Sequence, residues 1–331
     1  MKAWLLDDFT GLDRLRLDNA PEPVPQHDEA ILQLRYAALN PADRYLAEGQ
    51  YPAKPPLPHI LGRDGMGVMV EGANSDTSGL RQGTTRAILR GEVGVDRAGT
   101  FAERVAVPLQ NLVNIPPGWS EQEAAGATLV YLTAYQALTT WGPLPASSSV
   151  LVTGASGGVG VACVQLAAAM GYTVLALSRS SEKSRRLLEL GAAATFNPTD
   201  SQWRQALKAR LAPRRVDLAV DNIGGKLLPE VIDTLGDFGK VSLVGRLGGP
   251  VPNFNTATLF FRRIRLGGVA VGAYTNAESR AAWEEVLNLL AKTGARPLVD
   301  SVWPFEQLPQ AFERLAQGPL GKVLLQISGP R

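Results

Sequence analysis

The sequence predicts an α/β protein of two domains, one β-rich and one built around a doubly wound parallel sheet. At about 150 residues per domain, a chain of 331 residues has room for two domains. The chain up to about Trp119 favours strands and proline loops, whereas from Ser149 onward short apolar strands alternate with helices. Such alternation is typical of a parallel sheet that is covered by helices on both faces.

The β-rich part shows the residue alternation of strands over 30–36 and 101–107. Between these strands lie two proline-dense stretches, 21–25 and 51–58. Proline cannot donate a hydrogen bond to a sheet or sit inside a helix, so we expect both stretches to be surface loops.

The second part opens with a helix start at Ser120, because Glu123 follows three residues later in a capping-box pattern. This pattern predicts a helix that runs on towards Trp141. The strands that follow are predicted at 150–153, 173–177, 217–220, 240–244 and 321–327. The helices between and after them are predicted at 159–170, 181–190, 201–211, 279–293 and 307–317.

Composition excludes several classes of function. Hydrophobic residues make up 45% of the chain and charged residues 19%, which excludes a disordered protein. The net charge of +2 gives no electrostatic reason to expect nucleic acid or a membrane surface as partner. Acidic residues near Met1 and the glycines within 150–170 argue against a secretory signal and a membrane-spanning helix.

The chain has too few soft ligands to build a metal centre of cysteine and histidine side chains. They are Cys163, His27 and His59. We expect Cys163 to be a core residue and both histidines to be ordinary surface residues in loops. A single cysteine suits a reducing compartment, so we expect a cytoplasmic protein.

The strongest motif is the glycine-rich turn 153–160, Thr-Gly-Ala-Ser-Gly-Gly-Val-Gly, which follows a strand and opens a helix. This is the context that dinucleotide binding requires, since glycines let the backbone approach a pyrophosphate whose charge the helix N-terminus meets. In the strict G-x-G-x-x-G register the first glycine is replaced by Ala155. A glycine-rich turn without a ligand is the alternative, but the strand–helix context favours nucleotide binding.

The end of the second strand indicates which cofactor is preferred. A preference for NAD places an acidic residue about 20 residues after the glycine turn. Here Ser178 and Arg179 stand at that point and Lys183 follows. Because guanidinium matches phosphate geometry, these residues favour the 2′-phosphate of NADPH. The alternative is that Arg179 and Lys183 only cover the surface of a helix N-terminus.

Several short pieces follow one another in a characteristic order. They are Asn40-Pro41-Ala42-Asp43, Gly62-Arg63-Asp64-Gly65-Met66-Gly67, Gly99-Thr100-Phe101-Ala102-Glu103, Leu132-Thr133-Ala134-Tyr135, the glycine turn, Asp221-Asn222-Ile223-Gly224-Gly225 and Gly321-Lys322-Val323. As an ordered set covering nearly the whole chain, they resemble the medium-chain dehydrogenase/reductase superfamily, specifically its zinc-free quinone oxidoreductase branch.

The resemblance implies a β-rich, GroES-like catalytic domain formed by residues 1–120 and 270–331. A Rossmann domain, residues 121–269, would be inserted into it. Zinc-dependent members of the superfamily have a cysteine at Asn40, a histidine at Arg63 and a third ligand near Leu129. All three are replaced here, and the cysteine-rich structural zinc lobe is missing. The resemblance therefore implies an enzyme without catalytic zinc.

The resemblance also implies the cofactor contacts. Thr133 would lie near the nicotinamide. The residues expected at the pyrophosphate are Gly157, Gly158 and Val159. Those expected at the adenosine phosphate are Ser178, Arg179 and Lys183. Further contacts along the cofactor are expected from Asn222, Val244, Gly245, Arg246, Val269 and Val271. In one departure, Pro198 stands where quinone reductases often have a tyrosine that helps to hold the 2′-phosphate.

Four residues are candidates for catalysis, because hydride transfer to a quinone or an α,β-unsaturated carbonyl needs a polarised acceptor oxygen and a proton. Asn40 has an amide that can donate to the carbonyl. Tyr45 matches a proton-relay position of alcohol dehydrogenases, and Tyr51 matches the proton-donating tyrosine of enoyl thioester reductases. Each tyrosine could instead be a packed aromatic, with water as the donor. Arg63 could orient substrate or cofactor, or pair with Asp64 or another acid.

The sequence thus predicts an NADPH-dependent, metal-free oxidoreductase that reduces quinones or activated alkenes. An enoyl thioester reductase and a catalytically silent NADPH-binding protein are the alternatives. We expect Asp43 to be structural, bonding loop amides. The resemblance also implies a homodimer that pairs through the edge strand of the Rossmann sheet, and the apolar segment 266–271 is the edge strand we expect.

Overall fold

The computed structural model describes residues 1–72, 81–90, 92–251 and 254–329. The chain forms two compact units. Unit 1 comprises residues 1–129, 274–281 and 296–331, and unit 2 comprises residues 130–273 and 282–295. These limits differ from the predicted 120/121 and 269/270 boundaries, and the stretch 282–295 joins unit 2. That stretch carries the buried side chains Trp283, Val286 and Leu290, whose burial a boundary drawn from motifs cannot anticipate.

The helices and strands follow one another in three runs. The first run is β1 (Lys2–Leu6), β2 (Leu15–Asn19), β3 (Glu29–Ala38), α1 (Pro41–Ala47), β4 (His59–Ile60), β5 (Asp64–Gly72), β6 (Thr85–Ile88), β7 (Arg104–Pro108), β8 (Leu112–Asn114) and α2 (Glu121–Ala125). The second run begins with α3 (Thr128–Thr139), β9 (Ser149–Val152), α4 (Gly158–Ala169), β10 (Thr173–Leu177), α5 (Ser181–Glu189), β11 (Ala194–Phe196), α6 (Trp203–Leu211), β12 (Val216–Asp221) and α7 (Leu227–Thr234). It ends with β13 (Leu235–Leu243), α8 (Ala257–Phe261), β14 (Arg265–Gly268) and α9 (Asn276–Thr293). The third run is β15 (Val299–Pro304), α10 (Leu308–Ala316) and β16 (Lys322–Gln326).

Unit 1 is built on two sheets. Within the described residues the smaller sheet has the order β2-β1-β4, and the larger has the order β15-β16-β3-β5-β6-β8, with β7 also pairing with β3. The predicted strands at 30–36 and 101–107 correspond to β3 and β7. Pairing is antiparallel except between β15 and β16. The β-rich character comes from these two sheets, and the C-terminal β16 lies beside β3 at the centre of the larger one.

The predicted capping box at Ser120 is confirmed, but the long helix expected after it is wrong. The Ser120 hydroxyl accepts from the Glu123 amide at 3.1 Å, and the Glu123 carboxylate accepts from the Ser120 amide at 2.7 Å. The helix then breaks at Gly126 into α2 and α3. A Cβ at Gly126 would lie 3.1 Å from Cβ of Lys322, so the chain there runs close against β16.

Unit 2 holds the predicted parallel sheet. In the described part of the chain its strand order is β11-β10-β9-β12-β13-β14, and every neighbouring pair is parallel. Counted from β9, this is the order 3-2-1-4-5-6 of the doubly wound dinucleotide-binding fold. The strand expected at 266–271 is shorter than predicted: β14 ends at Gly268, and a 3-10 turn begins at Val271.

The apolar stretch 150–170 is a strand, a turn and the buried helix α4. Cys163 on α4 is fully buried, and burial raises the pKa of its thiol, as expected for a core residue. No helix among the described residues is both long enough and apolar enough to cross a membrane.

Candidate active site

The glycine turn between β9 and α4 needs glycine at two points for steric reasons. Gly154 has a φ of +56°, a left-handed conformation that favours glycine. At Gly160 a Cβ would lie 2.2 Å from the carbonyl oxygen of Gly154, a distance that no side chain can occupy. Ala155, which replaces the first glycine of the strict register, is fully buried. The turn therefore keeps its tight shape although one motif glycine is an alanine.

The N-terminus of α4 offers backbone donors. Gly157 is its N-cap, and the helix begins at Gly158. The first amides of a helix have no intrahelical partner, which leaves those of Gly158 and Val159 as donors in a half-buried position. Backbone donors at a helix N-terminus suit the charge of a pyrophosphate.

The ends of β9 and β12 form a buried polar cradle beside this turn. Asp221 accepts from the Thr153 hydroxyl at 2.6 Å and from the Gly224 amide at 3.0 Å. Asn222 donates from Nδ2 to the Thr153 carbonyl at 2.8 Å. Its Oδ1 is buried and has no hydrogen-bond partner in the described chain. An unsatisfied acceptor at the carboxyl ends of parallel strands fits a ligand that donates, such as a ribose hydroxyl.

The end of β10 carries the residues expected at the adenosine phosphate. Ser180 caps α5 by accepting from the Lys183 amide at 3.3 Å. The Ser178 hydroxyl and Ser180 bond each other locally, at 3.2 and 3.3 Å. Arg179 is exposed. A guanidinium that projects beside a capped helix N-terminus is suited to bind a phosphate.

The remaining cofactor candidates all belong to unit 2. Thr133 lies half-buried on α3. Val244 and Gly245 follow β13, where the Val244 amide donates to the Asp221 carbonyl at 2.9 Å, and Arg246 after them is exposed. Val269 and Val271 lie just beyond β14. The roles assigned to these residues stay predictions.

In unit 1 a buried ammonium lies at the centre of a polar network. Lys322 is 5% exposed, and its Nζ donates to the Leu39 carbonyl at 2.9 Å, to Oδ1 of Asn40 at 2.7 Å and to Oδ2 of Asp64 at 3.2 Å. All three ammonium hydrogens are thereby used. Asp64 is fully buried and also accepts from the Leu129 amide at 3.2 Å.

Asn40 is held by this network on every side. An ammonium can only donate, so the amide atom that faces Lys322 is the oxygen. Nδ2 of Asn40 then donates to the Ala38 carbonyl and to Asp64, each at 3.3 Å. Asn40 is also the N-cap of α1, and its backbone amide donates to Asp43 at 2.8 Å. The carbonyl oxygen of a substrate could accept from Nδ2 only by replacing one of these two 3.3 Å contacts. The catalytic role of Asn40 stays a prediction.

Arg63 and Tyr51 lie against each other. Nη1 of Arg63 donates to Oη of Tyr51 at 3.0 Å, and the guanidinium carbon lies 4.3 Å from the centre of the tyrosine ring. Nε of Arg63 lies 3.4 Å from Oδ1 of Asp43. The acid that pairs with Arg63 is therefore Asp43 and not Asp64, which pairs with Lys322.

Asp43 is fully buried, and its environment perturbs its acidity. Burial raises the pKa of its carboxyl to about 6, although the charge of Arg63 and the hydrogen bond from the Asn40 amide act to lower it. Bonding to a loop amide agrees with the structural role expected for Asp43. Tyr45 is half-buried on α1, and its catalytic role stays a prediction.

Two features of unit 1 were not anticipated from sequence. His59 is not a surface residue: it lies in β4 with 5% exposure, and burial lowers the pKa of its imidazole. The motif Gly321-Lys322-Val323 does not by itself predict that Lys322 is buried in a polar network. The available signal was a lysine directly before the apolar run Val-Leu-Leu of β16, because a buried lysine needs an acidic partner.

The positions at which the zinc-dependent proteins have metal ligands do not fit a zinc ion here. The oxygen of Asn40 is bonded to an ammonium, Arg63 is a cation, and Leu129 has no donor side chain. Among the described residues, no three histidine, cysteine, aspartate or glutamate side chains come together as a metal site. Zinc requires deprotonated cysteine, neutral histidine or free carboxylate.

Comparison with known proteins agrees with this architecture. Residues 26–117 match the family model of the alcohol dehydrogenase GroES-like domain, and residues 158–292 match that of the zinc-binding dehydrogenases. The human synaptic vesicle membrane protein VAT-1 homolog is 30% identical, over 100% of this chain and 87% of its own length. The quinone oxidoreductase of Lama guanicoe is 28% identical, over 98% of this chain and 97% of its own.

A solved structure gives the same result for the fold. The crystal structure of an NAD-dependent alcohol dehydrogenase has a TM-score of 0.89 and 29% identity, over 99% of this chain and 100% of that one. A GroES-like unit and a Rossmann unit with a dinucleotide-type glycine turn define an oxidoreductase that uses a nicotinamide cofactor. The chain belongs to the quinone oxidoreductase-like branch of the medium-chain dehydrogenase/reductase superfamily.

Proposed function

We propose that this protein is an NADPH-dependent, metal-free reductase that transfers hydride to quinones or activated alkenes. The observation that carries the proposal is the ammonium of Lys322 on Oδ1 of Asn40, at 2.7 Å. Because the ammonium of Lys322 already occupies the position beside this oxygen, Asn40 does not serve as a metal ligand. The oxygen of the hydride acceptor then has to be activated by hydrogen-bond donors instead of a metal ion. Quinones and α,β-unsaturated carbonyls suit such a site, because conjugation delocalises the negative charge that hydride adds.

The Rossmann unit supports the choice of cofactor. NADPH would supply the hydride, and the protein binds and orients it. The amides of Gly158 and Val159 would hold the pyrophosphate, and Oδ1 of Asn222 would accept from a ribose hydroxyl. Arg179 would meet the 2′-phosphate, since no acidic residue stands at 178 or 179 to accept from the ribose of NADH.

The GroES-like unit supports the choice of proton donor. Tyr51 has a hydroxyl that can both stabilise a developing oxyanion and deliver a proton. For a quinone we favour water as the donor, because its reduced oxygen is readily protonated. For an enone or enoyl thioester we favour Tyr51. Tyr45 is the second candidate, and Asn40 contributes if a substrate oxygen displaces one of its two long contacts.

The contact between Tyr51 and Arg63 favours one alternative, an enoyl thioester reductase, because it holds a phenol at a position where such enzymes use one. A second alternative is a protein of the same fold that binds NADPH without turning over. The proposed function and these two alternatives predict different outcomes of the same experiment.

The test is NADPH consumption with a panel of a quinone, an enone and an enoyl thioester, each with and without a chelator. We expect turnover with the quinone or enone, indifferent to the chelator, and no stoichiometric zinc by elemental analysis. Fastest turnover with the enoyl thioester supports the first alternative. Tight NADPH binding without consumption supports the second, and a zinc-dependent rate contradicts the proposal.

We also propose that the protein is a homodimer and works in the cytoplasm, as its single, buried cysteine suits a reducing compartment. Strand β14 ends the sheet of unit 2, and no described strand pairs with its outer side. Phe260 and Phe261, in the helix that leads to β14, are 64% and 79% exposed. An open edge with apolar residues beside it invites a second copy. Light scattering should give twice the mass of one chain, and Phe261→Asp should shift it towards the single chain.

A further inference from the structure

The contact between Arg63 and Tyr51 determines how the tyrosine hydroxyl is used. The two residues come from different loops: Tyr51 follows α1, and Arg63 precedes β5. The guanidinium carbon lies 4.3 Å from the ring centre while Nη1 lies 3.0 Å from Oη. Arg63 therefore touches both the face and the oxygen of Tyr51, which restricts the ring as well as the hydroxyl.

The chemistry of the two groups makes this hydrogen bond directional. Guanidinium has five N–H donors and no acceptor, so Oη of Tyr51 must be the acceptor. The hydroxyl hydrogen then has to point away from Arg63. A phenol without such a partner can turn its hydrogen towards any nearby acceptor, whereas here one of its directions is already taken by a donor.

Arg63 is itself held in place. Nε lies 3.4 Å from Oδ1 of Asp43, which is fully buried on α1, and the Arg63 side chain is only 11% exposed. Oδ1 of Asp43 has no hydrogen-bond partner in the described chain. The guanidinium thus lies between a buried carboxylate and the tyrosine, and the charge of the carboxylate keeps it there.

We propose that Arg63 is a positioning residue that turns the phenolic hydrogen of Tyr51 outward, towards the oxygen of the hydride acceptor. Asp43 holds Arg63 for this purpose. The inference rests on the proposed function, because Tyr51 acts only if the protein reduces an acceptor.

The proton step that follows is balanced. Once hydride has added to the alkene, the acceptor carries an enolate oxygen. The O–H bond of Tyr51 breaks, its electron pair stays on Oη, and the proton goes to the enolate. The phenolate that remains is beside the guanidinium, which donates to it, until water returns a proton.

The kinetic test is a double-mutant cycle with an enone as acceptor. Tyr51→Phe and Arg63→Met should each lower kcat by about tenfold or more and leave the dissociation constant of NADPH unchanged within about twofold. Because Arg63 acts through Tyr51, Arg63→Met should have no further effect in the Tyr51→Phe background. Multiplying losses would mean that Arg63 contacts the acceptor itself, which would overturn the proposal.

A graded series tests the donor-only property. Arg63→Lys keeps a group that can only donate and should retain more of kcat than Arg63→Gln, whose amide oxygen can capture the tyrosine hydrogen. The matched control is Arg44→Met, an exposed arginine on α1 that pairs with Glu48 and should leave kcat unchanged. Equal activity of the lysine and glutamine variants would contradict the orientation argument.

A spectroscopic test needs neither cofactor nor turnover. The tyrosine doublet in Raman spectra changes with the hydrogen-bond role of the phenol, and difference spectra isolate one change among the seven tyrosines. We expect Arg63→Met to remove the signature of one accepting phenol, as Tyr51→Phe does, and Arg63→Lys to keep it. An unchanged doublet overturns the proposal. NADPH-dependent reduction of the enone that is unaffected by Tyr51→Phe overturns it too, but leaves the proposed function standing. No turnover with any acceptor overturns the proposed function, and with it the catalytic use of the pair.

Discussion

In unit 2 the candidate cofactor site centres on one continuous stretch of chain, 153–160, whereas in unit 1 the polar network joins Asn40, Asp64 and Lys322 from separate elements. The first site is made largely of backbone amides and small residues, and the second of charged side chains. The residues of the glycine turn are determined by steric limits, because the backbone leaves no room for larger side chains. The Lys322 network is electrostatic: each member is required by the charge of another.

This difference predicts how the two regions respond to mutation. In the glycine turn, an added atom should weaken cofactor binding or local packing. In the buried network of charges, removal of one partner should lower the stability of the protein. The four predictions that follow test this contrast, beginning with the largest expected effect.

Lys322→Met should destabilise the protein by about 3–5 kcal/mol, because it leaves Asp64 charged, buried and without its cation. Urea titration measures the change. The matched control is Lys292→Met, at an exposed position on α9, which should stay within about 0.5 kcal/mol of wild type. Adding Asp64→Leu to Lys322→Met should recover part of the loss. A tolerated single variant would show that the network is not electrostatically coupled.

Asp43→Asn should change how stability depends on pH. Burial raises the pKa of Asp43 from its ordinary 3.8 to about 6, against the opposing charges of Arg63 and Lys322 and with a smaller raising effect from Asp64. The folded state therefore binds this proton more tightly than the unfolded chain. The resulting stabilisation is complete below about pH 4 and is lost as pH rises through about 6.

Relative to Asp43→Asn, wild type should therefore lose at most about 3 kcal/mol of stability between pH 4 and pH 8. Urea titrations of both proteins across this range give the difference. A constant difference would show that Asp43 stays ionised throughout, and a difference in favour of wild type at high pH would reverse the sign of the argument.

Arg179→Ala should weaken NADPH binding by about 1.5–3 kcal/mol, the value of a charge-assisted hydrogen bond, with little change for NADH. Fluorescence titration with both cofactors measures this. Arg185→Ala, at an exposed position on α5, is the control and should change neither affinity. Equal affinity of wild type for NADPH and NADH would remove the basis of the NADPH preference.

Two alanines in the glycine turn should have separable effects. Gly160→Ala places a Cβ 2.2 Å from a backbone oxygen and should cost about 1–3 kcal/mol of stability. At Gly157 the nearest atom to an added Cβ is 3.5 Å away, so Gly157→Ala should fold normally. Because Gly157 is the N-cap of α4, where we propose that the pyrophosphate binds, we expect the added methyl group to lower NADPH affinity about tenfold, or by about 1.4 kcal/mol. If both variants lose stability and NADPH affinity to the same extent, the idea that Gly160 serves packing and Gly157 serves binding is wrong.

Sequence reasoning was most successful where the responsible residues are close together in the chain. Strand β10 lies at 173–177 as predicted, and the capping box of Ser120 and Glu123 forms as predicted. The alternation of strands and helices led to the correct sheet type. The prediction of one long helix after Ser120 failed at Gly126, where α2 ends and the chain lies close against Lys322, almost two hundred residues away in sequence.

The sequence by itself determined the class of this protein. Its glycine turn, its strand–helix alternation and its ordered short motifs are local patterns, and local patterns depend on backbone geometry that few residues define. Only the tertiary structure decided which charges meet. Arg63 pairs with Asp43 and contacts Tyr51, and the ammonium of Lys322 donates to the side-chain oxygen of Asn40. Such pairs form because burial removes water from charged groups whose positions along the chain are unrelated, and no spacing rule connects them.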